Sequence, residues 1–294
     1  MSPSWFILYY LSDLKKPAGP LLKWVGGKKQ LLGPILKAAP QSFNRYHEPF
    51  LGGGALFFAL SPSAASLADL NPRLMNFYSQ VSRDHLGLQK EVEAIADVFA
   101  SGSSENKAQF LSLREEFNAL GDSRGVRSAA LLLVLNKTCF NGLFRENASG
   151  AFNVPFNHFT AVPRFFDANT MSSSSEALCK AELSVSSFHE VLNRAVSNDF
   201  IYLDPPYVPL SPTADFSSYT ASGFNETLHN ELLDVSKELR SRGAYVMVSN
   251  SYSPWVIENY EKAGFRVNPI AASRNVAAKA SSRRRVQEAL IFGY

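Results

Sequence analysis

Phe200-Ile201-Tyr202-Leu203-Asp204-Pro205-Pro206-Tyr207 joins two kinds of sequence at one point. The first four residues are apolar, and a short apolar run that ends at a turn signal reads as a buried parallel strand. The next four bring a carboxylate, two rigid prolines and an aromatic ring to the carboxyl end of that strand. In an open α/β sheet this edge is where ligands bind. Consecutive prolines fix φ and donate no N–H, so the carbonyls beside them stay free as acceptors. A carboxylate and a fixed carbonyl can take both hydrogens of an exocyclic amino group, and Tyr207 can stack on the ring that carries it. The residues suit a planar heterocycle bearing an NH2, a nucleobase first of all. A Pro-Pro pair after a strand also serves as a plain turn, so the rest of the chain has to decide.

Upstream, Glu48-Pro49-Phe50-Leu51-Gly52-Gly53-Gly54-Ala55-Leu56 follows a strand-like stretch and opens an apolar segment, 55–60, that reads as a helix. A glycine-rich strand-to-helix turn lets a ligand approach the backbone and leaves amide N–H groups free. The pattern is not the Gly-x-Gly-x-x-Gly dinucleotide fingerprint. Ala68-Asp69-Leu70-Asn71 then closes a second β-like run, and an acid there is placed to hold a ribose hydroxyl pair. Such a nucleoside is NAD-like or S-adenosylmethionine, and Asp-Pro-Pro-Tyr favours the latter. Further upstream, Leu22-Lys23-Trp24-Val25-Gly26-Gly27-Lys28-Lys29 sets a tryptophan beside a glycine turn and a basic helix start. Trp24 could cover an adenine ring there. Lysines at a helix N-terminus oppose the helix dipole, so Lys28 and Lys29 need another reason to be present.

A chain of 294 residues, 46% of them apolar, is enough for one large α/β domain and a smaller insert. Two cysteines, Cys139 and Cys179, suggest neither a disulfide framework nor a zinc site, which makes a reducing cytoplasm the default. The five histidines lack metal-ligand spacing. The apolar run 5–11 is too short to span a membrane and has no basic n-region before it. Ser172–Ser175 reads as a linker. Net charge is only +3, but it is unevenly spread: residues 14–47 hold seven Lys or Arg and no acid, and so do residues 262–287, with Arg283-Arg284-Arg285. Two such blocks can form solvated faces, or one surface that tracks phosphates.

Taken in order, Lys-Trp-x-Gly-Gly-Lys, Glu-Pro-Phe-x-Gly-Gly-Gly, Ala-Asp-x-Asn and Asp-Pro-Pro-Tyr resemble the DNA adenine-N6 methyltransferases of the Dam type. The resemblance runs from about residue 21 to the C-terminus. It implies S-adenosylmethionine as cofactor, held by Trp24, Lys28, Phe50, Gly52, Gly53, Gly54, Asp69 and Asp204. It implies Asp204, Pro205, Pro206 and Tyr207 as the catalytic set, with no metal. The partner it implies is double-stranded DNA, bound by a monomer, and it leaves room for a cognate restriction endonuclease acting on the same site.

The insert has its own signature, Phe140-Asn141-Gly142-Leu143-Phe144-Arg145-Glu146-Asn147-Ala148-Ser149-Gly150-Ala151-Phe152-Asn153-Val154-Pro155-Phe156. Two segments of mixed aromatic and polar residues flank a turn at 148–150, which reads as a hairpin. Segments 92–100, 110–120 and 128–135 read as helices around it. A small helical bundle with a polar hairpin fits an element that reads bases in the major groove. By the resemblance, Lys23, Asn141, Leu143, Arg145, Asn147 and Pro155 contact DNA, with GATC as the site; Asn157-His158 departs from the Gly-Arg often found there. The hydroxyl-rich stretch 209–220 reads as a loop ordering against phosphates, and runs 244–249, 265–270 and 286–292 as further strands.

The expected architecture is a doubly wound, mostly parallel α/β sheet of the Rossmann-like methyltransferase fold, with a helical target-recognition insert carrying a β-hairpin. Its expected parts are an extension, 1–20, a catalytic domain, 21–75 with 168–294, and a recognition domain, 76–167. Rival functions are RNA adenine-N6 methylation, DNA cytosine-N4 methylation and DNA binding without turnover. Asp rather than Ser before Pro-Pro favours adenine over cytosine N4.

Overall fold

The structure, a computed structural model, describes residues 17–209, 224–273 and 285–294. The expectations for residues 1–16, for the stretch 210–220 and for Arg283 and Arg284 therefore lie outside the described residues, as does the side chain of Arg285.

Seven strands form one sheet: β1 (Tyr46–Glu48), β2 (Ala65–Asp69), β3 (Ala181–Val185), β4 (Phe200–Leu203), β5 (Tyr245–Ser251), β6 (Arg266–Ser273) and β7 (Arg285–Phe292). Their order is β3-β2-β1-β4-β5-β7-β6. All neighbours pair in parallel except β7, which is antiparallel to both β5 and β6. This is the expected Rossmann-like class. All four β4 residues are buried, as a central parallel strand covered on both faces requires. Ile201, Leu203, Val246, Val248 and Ile291 share a core with Leu232, Val235 and Leu239 of a helix at Glu226–Ser241 and with Val256 and Tyr260 of another at Pro254–Lys262. Each such side chain contributes roughly 1.5–3 kcal/mol on full burial. At the amino ends, His47 Nε2 meets Asp199 Oδ2 at 2.9 Å and Asp199 Oδ1 accepts from Arg45 N at 3.1 Å, fastening β1 to β4. β1 and β4 are also where the strand order reverses, so their carboxyl ends form the switch-point edge.

Eight α-helices occur among the described residues: α1 (Leu32–Ala38), α2 (Ala55–Leu60), α3 (Pro72–Ala96), α4 (Asn106–Leu120), α5 (Val126–Thr138), α6 (Ala168–Leu178), α7 (Glu226–Ser241) and α8 (Pro254–Lys262). None is long and apolar enough to cross a membrane. The run expected at 92–100 belongs to α3, which stops at Ala96. α3 is broken at Asp84, whose backbone is non-helical (φ −153°, ψ 69°) and whose carboxylate accepts from Gly87 N at 2.8 Å, an N-cap within the element.

The chain divides into two compact units, and the division differs from the expected boundaries. Lys28–Asn71 and Lys180–Tyr294 carry the sheet with α1, α2, α7 and α8. Residues 17–27 join Pro72–Cys179 in the helical unit. Residues 21–27 go there because Asn136 of α5 bonds both backbone groups of Lys23. The serine run 172–175 is not a linker but part of α6. Asp167 caps that helix at Thr170 N, Ser173, Ser174 and Ser175 are buried, and Ser174 Oγ donates to Gly19 O and accepts from Gly19 N. Small hydroxyl side chains satisfied by backbone can line a close helix contact, which composition alone does not reveal.

Four buried or half-buried asparagines organise the helical unit in one way. The side-chain amide of each bonds both the N–H and the C=O of one loop residue: Asn76 with Gly125, Asn106 with Ala100, Asn118 with Phe152 and Asn136 with Lys23. A side-chain amide here replaces a neighbouring strand, satisfying loop backbone that would otherwise be left unpaired.

Candidate active site

β4 ends at Leu203 and releases Asp204 at the switch-point edge. Asp204 Oδ2 lies 2.6 Å from Lys28 Nζ, and both side chains are largely enclosed. Asp204 Oδ1 is buried and has no hydrogen-bond partner among the described residues. A buried carboxylate oxygen left unpaired is costly, and where one persists it points to a donor brought by a ligand. Burial pushes the Asp204 carboxyl above its usual range, and the Lys28 ammonium pulls against that shift. Lys28 sits in a 3-10 turn, Lys28–Gln30, and its ammonium also lies 4.9 Å from the centre of the Tyr207 ring. A lysine at a helix start needs a reason other than the dipole, and the Asp204 carboxylate supplies it.

The residues after Asp204 are fixed from β5 and β7. Val208 N donates to Asn250 Oδ1 at 2.9 Å, and Val208 O accepts from Ser251 Oγ at 2.6 Å. The Tyr207 hydroxyl donates to Glu288 Oε2 at 2.7 Å. Pro205 is buried and Pro206 is exposed. Glu288 and Asn250 were not among the expected site residues, because nothing in the motif signals partners so distant in sequence. Glu48, at the end of β1 and the start of the Glu-Pro-Phe-x-Gly-Gly-Gly motif, is likewise absent from the expected site residues. It is buried, accepts from the Tyr46 hydroxyl at 2.9 Å, and is pushed by burial up to about 8.

The glycine turn differs in detail from its expected form, since two of its amides are engaged. Gly52 N donates to Asp69 Oδ2 at 3.0 Å and Gly54 N to Leu51 O at 2.7 Å. Gly54 has φ 64°, and a Cβ there would meet Phe58 at 3.0 Å, so the position excludes a side chain on two counts. Asp69 Oδ1 accepts from Asn71 N at 2.9 Å. Asp69 is partly exposed. Phe50 is stacked on Phe188, centroids 5.5 Å apart. Phe188 follows β3, an edge strand whose half-exposed mixed residues concealed it in the sequence.

The other expected residues lie in the helical unit. Trp24 stacks on Phe144 at 5.2 Å, and Lys23 is exposed. The hairpin forms through isolated antiparallel bridges, Cys139 with Phe156 and Glu146 with Phe152, rather than a continuous ladder. Phe152, Val154 and Phe156 are buried. Asn141, Arg145, Asn147 and Pro155 are exposed and Leu143 is half-buried; only the second arm alternates, with exposed Pro155 between buried Val154 and Phe156, while Asn141 lies in a 3-10 turn, Phe140–Gly142. Arg145 Nε donates to Asn153 Oδ1 at 2.7 Å. Asn147 builds the turn, its amide oxygen accepting from Ser149 N, Ser149 Oγ and Ala151 N.

A Rossmann-like sheet that presents Asp-Pro-Pro-Tyr at its switch point defines a class, the methyltransferases that act on amino nitrogens. The sequence profile of the D12 class N6 adenine-specific DNA methyltransferases matches residues 24–276, and the chain belongs to that family. It is similar to the type II methyltransferase M1.LlaDCHI of Lactococcus lactis subsp. cremoris, with 37% identity over 94% of this chain and 95% of that one. It is also similar to the type II methyltransferase M.MjaIII of Methanocaldococcus jannaschii, 35% identical over 94% and 99% of the two chains. A DNA adenine methylase of Vibrio cholerae is 33% identical over 92% and 94%. The family implies S-adenosylmethionine as methyl donor. The residues fit such a group: a side-chain-free turn at Gly54, a partly exposed acid at the end of β2, and stacked aromatics beside them.

Proposed function

We propose that this D12-class adenine-N6 DNA methyltransferase acts on GATC in duplex DNA, with the target adenine rotated out of the helix. The observation that carries the catalytic part is the Asp204 carboxylate, largely enclosed, with one oxygen on Lys28 and the other without a hydrogen-bond partner among the described residues. The amino group of a stacked, paired adenine cannot reach such a buried acceptor, so the base has to leave the duplex. Asp204 Oδ1 and the Pro205 carbonyl then accept from N6 and aim its lone pair, while Tyr207, tethered to Glu288, stacks on the ring. When bound, S-adenosylmethionine would supply an electrophilic methyl group: the N6–CH3 bond forms as the S–CH3 bond breaks, the neutral thioether leaves, and N6 sheds a proton to solvent. As positive charge develops on N6, the Asp204 carboxylate stabilises it, and holding the nucleophile in place lowers the barrier further. Phe50, the turn Gly52-Gly53-Gly54, Asp69 and Lys28 form the cofactor set of the sheet unit in this reading. Asp69→Ala should weaken S-adenosylmethionine binding in calorimetry; unchanged affinity would move the cofactor elsewhere.

On DNA, Arg145 and Lys23 are assigned to guanine O6 and N7, and Leu143 and Pro155 to thymine methyl groups. Asn141 and Asn147 complete the contact surface. The exposure of Lys23, Asn141, Arg145 and Pro155 supports this assignment. The enzyme acts as a monomer on its site. Its identity to two type II methyltransferases favours a companion restriction endonuclease that cuts the same sequence. Mapping N6-methyladenine in the DNA of a host lacking its own adenine methylation tests the site. Modification at every GATC is expected; modified adenines elsewhere, or only at GATC with fixed flanks, would contradict it.

A further inference from the structure

We infer that Asn136 is a specificity-determining positioning residue, which fixes Lys23 against the Asn141-Gly142-Leu143 turn as one reading unit. The inference rests on the assignment of Lys23 as a base reader. Asn136 lies near the end of α5 and is 2% exposed. Its Oδ1 accepts from Lys23 N at 2.9 Å, and its Nδ2 donates to Lys23 O at 2.9 Å and to Gly142 O at 3.0 Å. Only this orientation of the amide gives all three bonds, because one partner is a donor and two are acceptors.

Among the four amide–backbone pairs of this unit, that of Asn136 spans the largest sequence separation and has a third bond that reaches another loop, whereas the third bond of Asn76 comes from Gln80 of its own helix. It joins residues 113 apart in sequence. The contact continues beyond the amide. Gly142 has φ 64°, and a Cβ built on it would lie 2.6 Å from Lys23 Cβ and 3.0 Å from Lys23 Cγ. The stem of Lys23 therefore crosses the turn in the space that glycine leaves. Trp24, one residue after Lys23, stacks on Phe144, two residues after Gly142. Asn141, in the left-handed region at φ 55°, and half-buried Leu143 flank the same carbonyl. A base contact is discriminating only if its donor is held in place, and a lysine is a flexible point charge by itself. Asn136 supplies at its root the constraint that the side chain lacks.

The test measures kcat/KM on a duplex bearing the sequence the wild-type enzyme methylates, and on duplexes with each base pair of that sequence replaced singly. Lys23→Ala identifies the position that Lys23 reads. Asn136→Ala should then lower discrimination at that same position by about tenfold. Other positions should stay within about threefold, with S-adenosylmethionine affinity unchanged. Asn136→Ser, which keeps a short hydroxyl, should fall between the two. If Lys23→Ala relaxes one position and a folded Asn136→Ala does not, the inference is overturned and the role of Lys23 stands. If Lys23→Ala relaxes none, the reading of Lys23 falls and the inference with it. A uniform loss at every position, or failure of both Asn136 variants to fold, makes Asn136 a structural residue only and also overturns the proposal.

Discussion

Asp204 has to stay charged in a place that disfavours charge, and the residues around it show how. Lys28 provides the counter-ion, and Glu48, the nearby carboxyl at the end of β1, is kept neutral by its burial. A neutral Glu48 spares Asp204 a like charge inside the same low-dielectric edge. It also makes stability depend on pH with a definite sign. The folded chain holds the Glu48 proton up to about pH 8, whereas an unfolded glutamate releases it near 4.5. The folded state therefore binds the extra proton within that window, and stability falls as pH rises through it. Glu48→Gln removes the dependence. In denaturant melts the variant should gain on the wild type as pH rises from 5 to 8.5, by on the order of 3–5 kcal/mol at the upper end. A gap that does not change with pH would mean that Glu48 is ionised in the folded chain.

At the scale of elements, the sheet was legible and the helical unit only partly so. The β4 run and the motifs at the ends of β1 and β2 are local signals, so 200–203, the glycine turn and Asp69 fall where the sequence puts them. The late strands 244–249 and 286–292 are likewise apolar runs that match β5 and β7. What the sequence concealed depends on tertiary partners: which carboxylate Lys28 meets, the glutamate that holds Tyr207, the serines packed inside α6, and the asparagines that replace backbone pairing. The hairpin shows both sides. Its alternation is written in Phe152, Val154 and Phe156, but its rigidity comes from Asn118 on α4, which grips both backbone groups of Phe152. Arg145, braced by Asn153, should then act as a single-base reader. Arg145→Ala is expected to cost about 1–3 kcal/mol at one guanine position. Competition between duplexes with single substitutions checks this, and an equal loss on every sequence would make Arg145 a phosphate contact instead.

For the whole molecule, the uneven charge of the sequence gives a further expectation. If the acid-free stretches 14–47 and 262–287 meet DNA phosphates, affinity should fall log-linearly with salt, by about 0.9 per phosphate neutralised. Replacing Arg283, Arg284 and Arg285 by alanine should flatten that slope in titrations at several salt concentrations; an unaltered slope would put the cluster on a solvated face. In the proposed mechanism the chemical event takes place at Asp204. Single-turnover transfer of a labelled methyl group to a GATC duplex, with cofactor and DNA saturating, compares wild type with Asp204→Ala at that event alone. The rate should fall by about 100-fold or more, with the cofactor and DNA affinities of the variant changed far less. Transfer by Asp204→Ala at the wild-type rate would show that the unpaired carboxylate oxygen does not direct the adenine amino group.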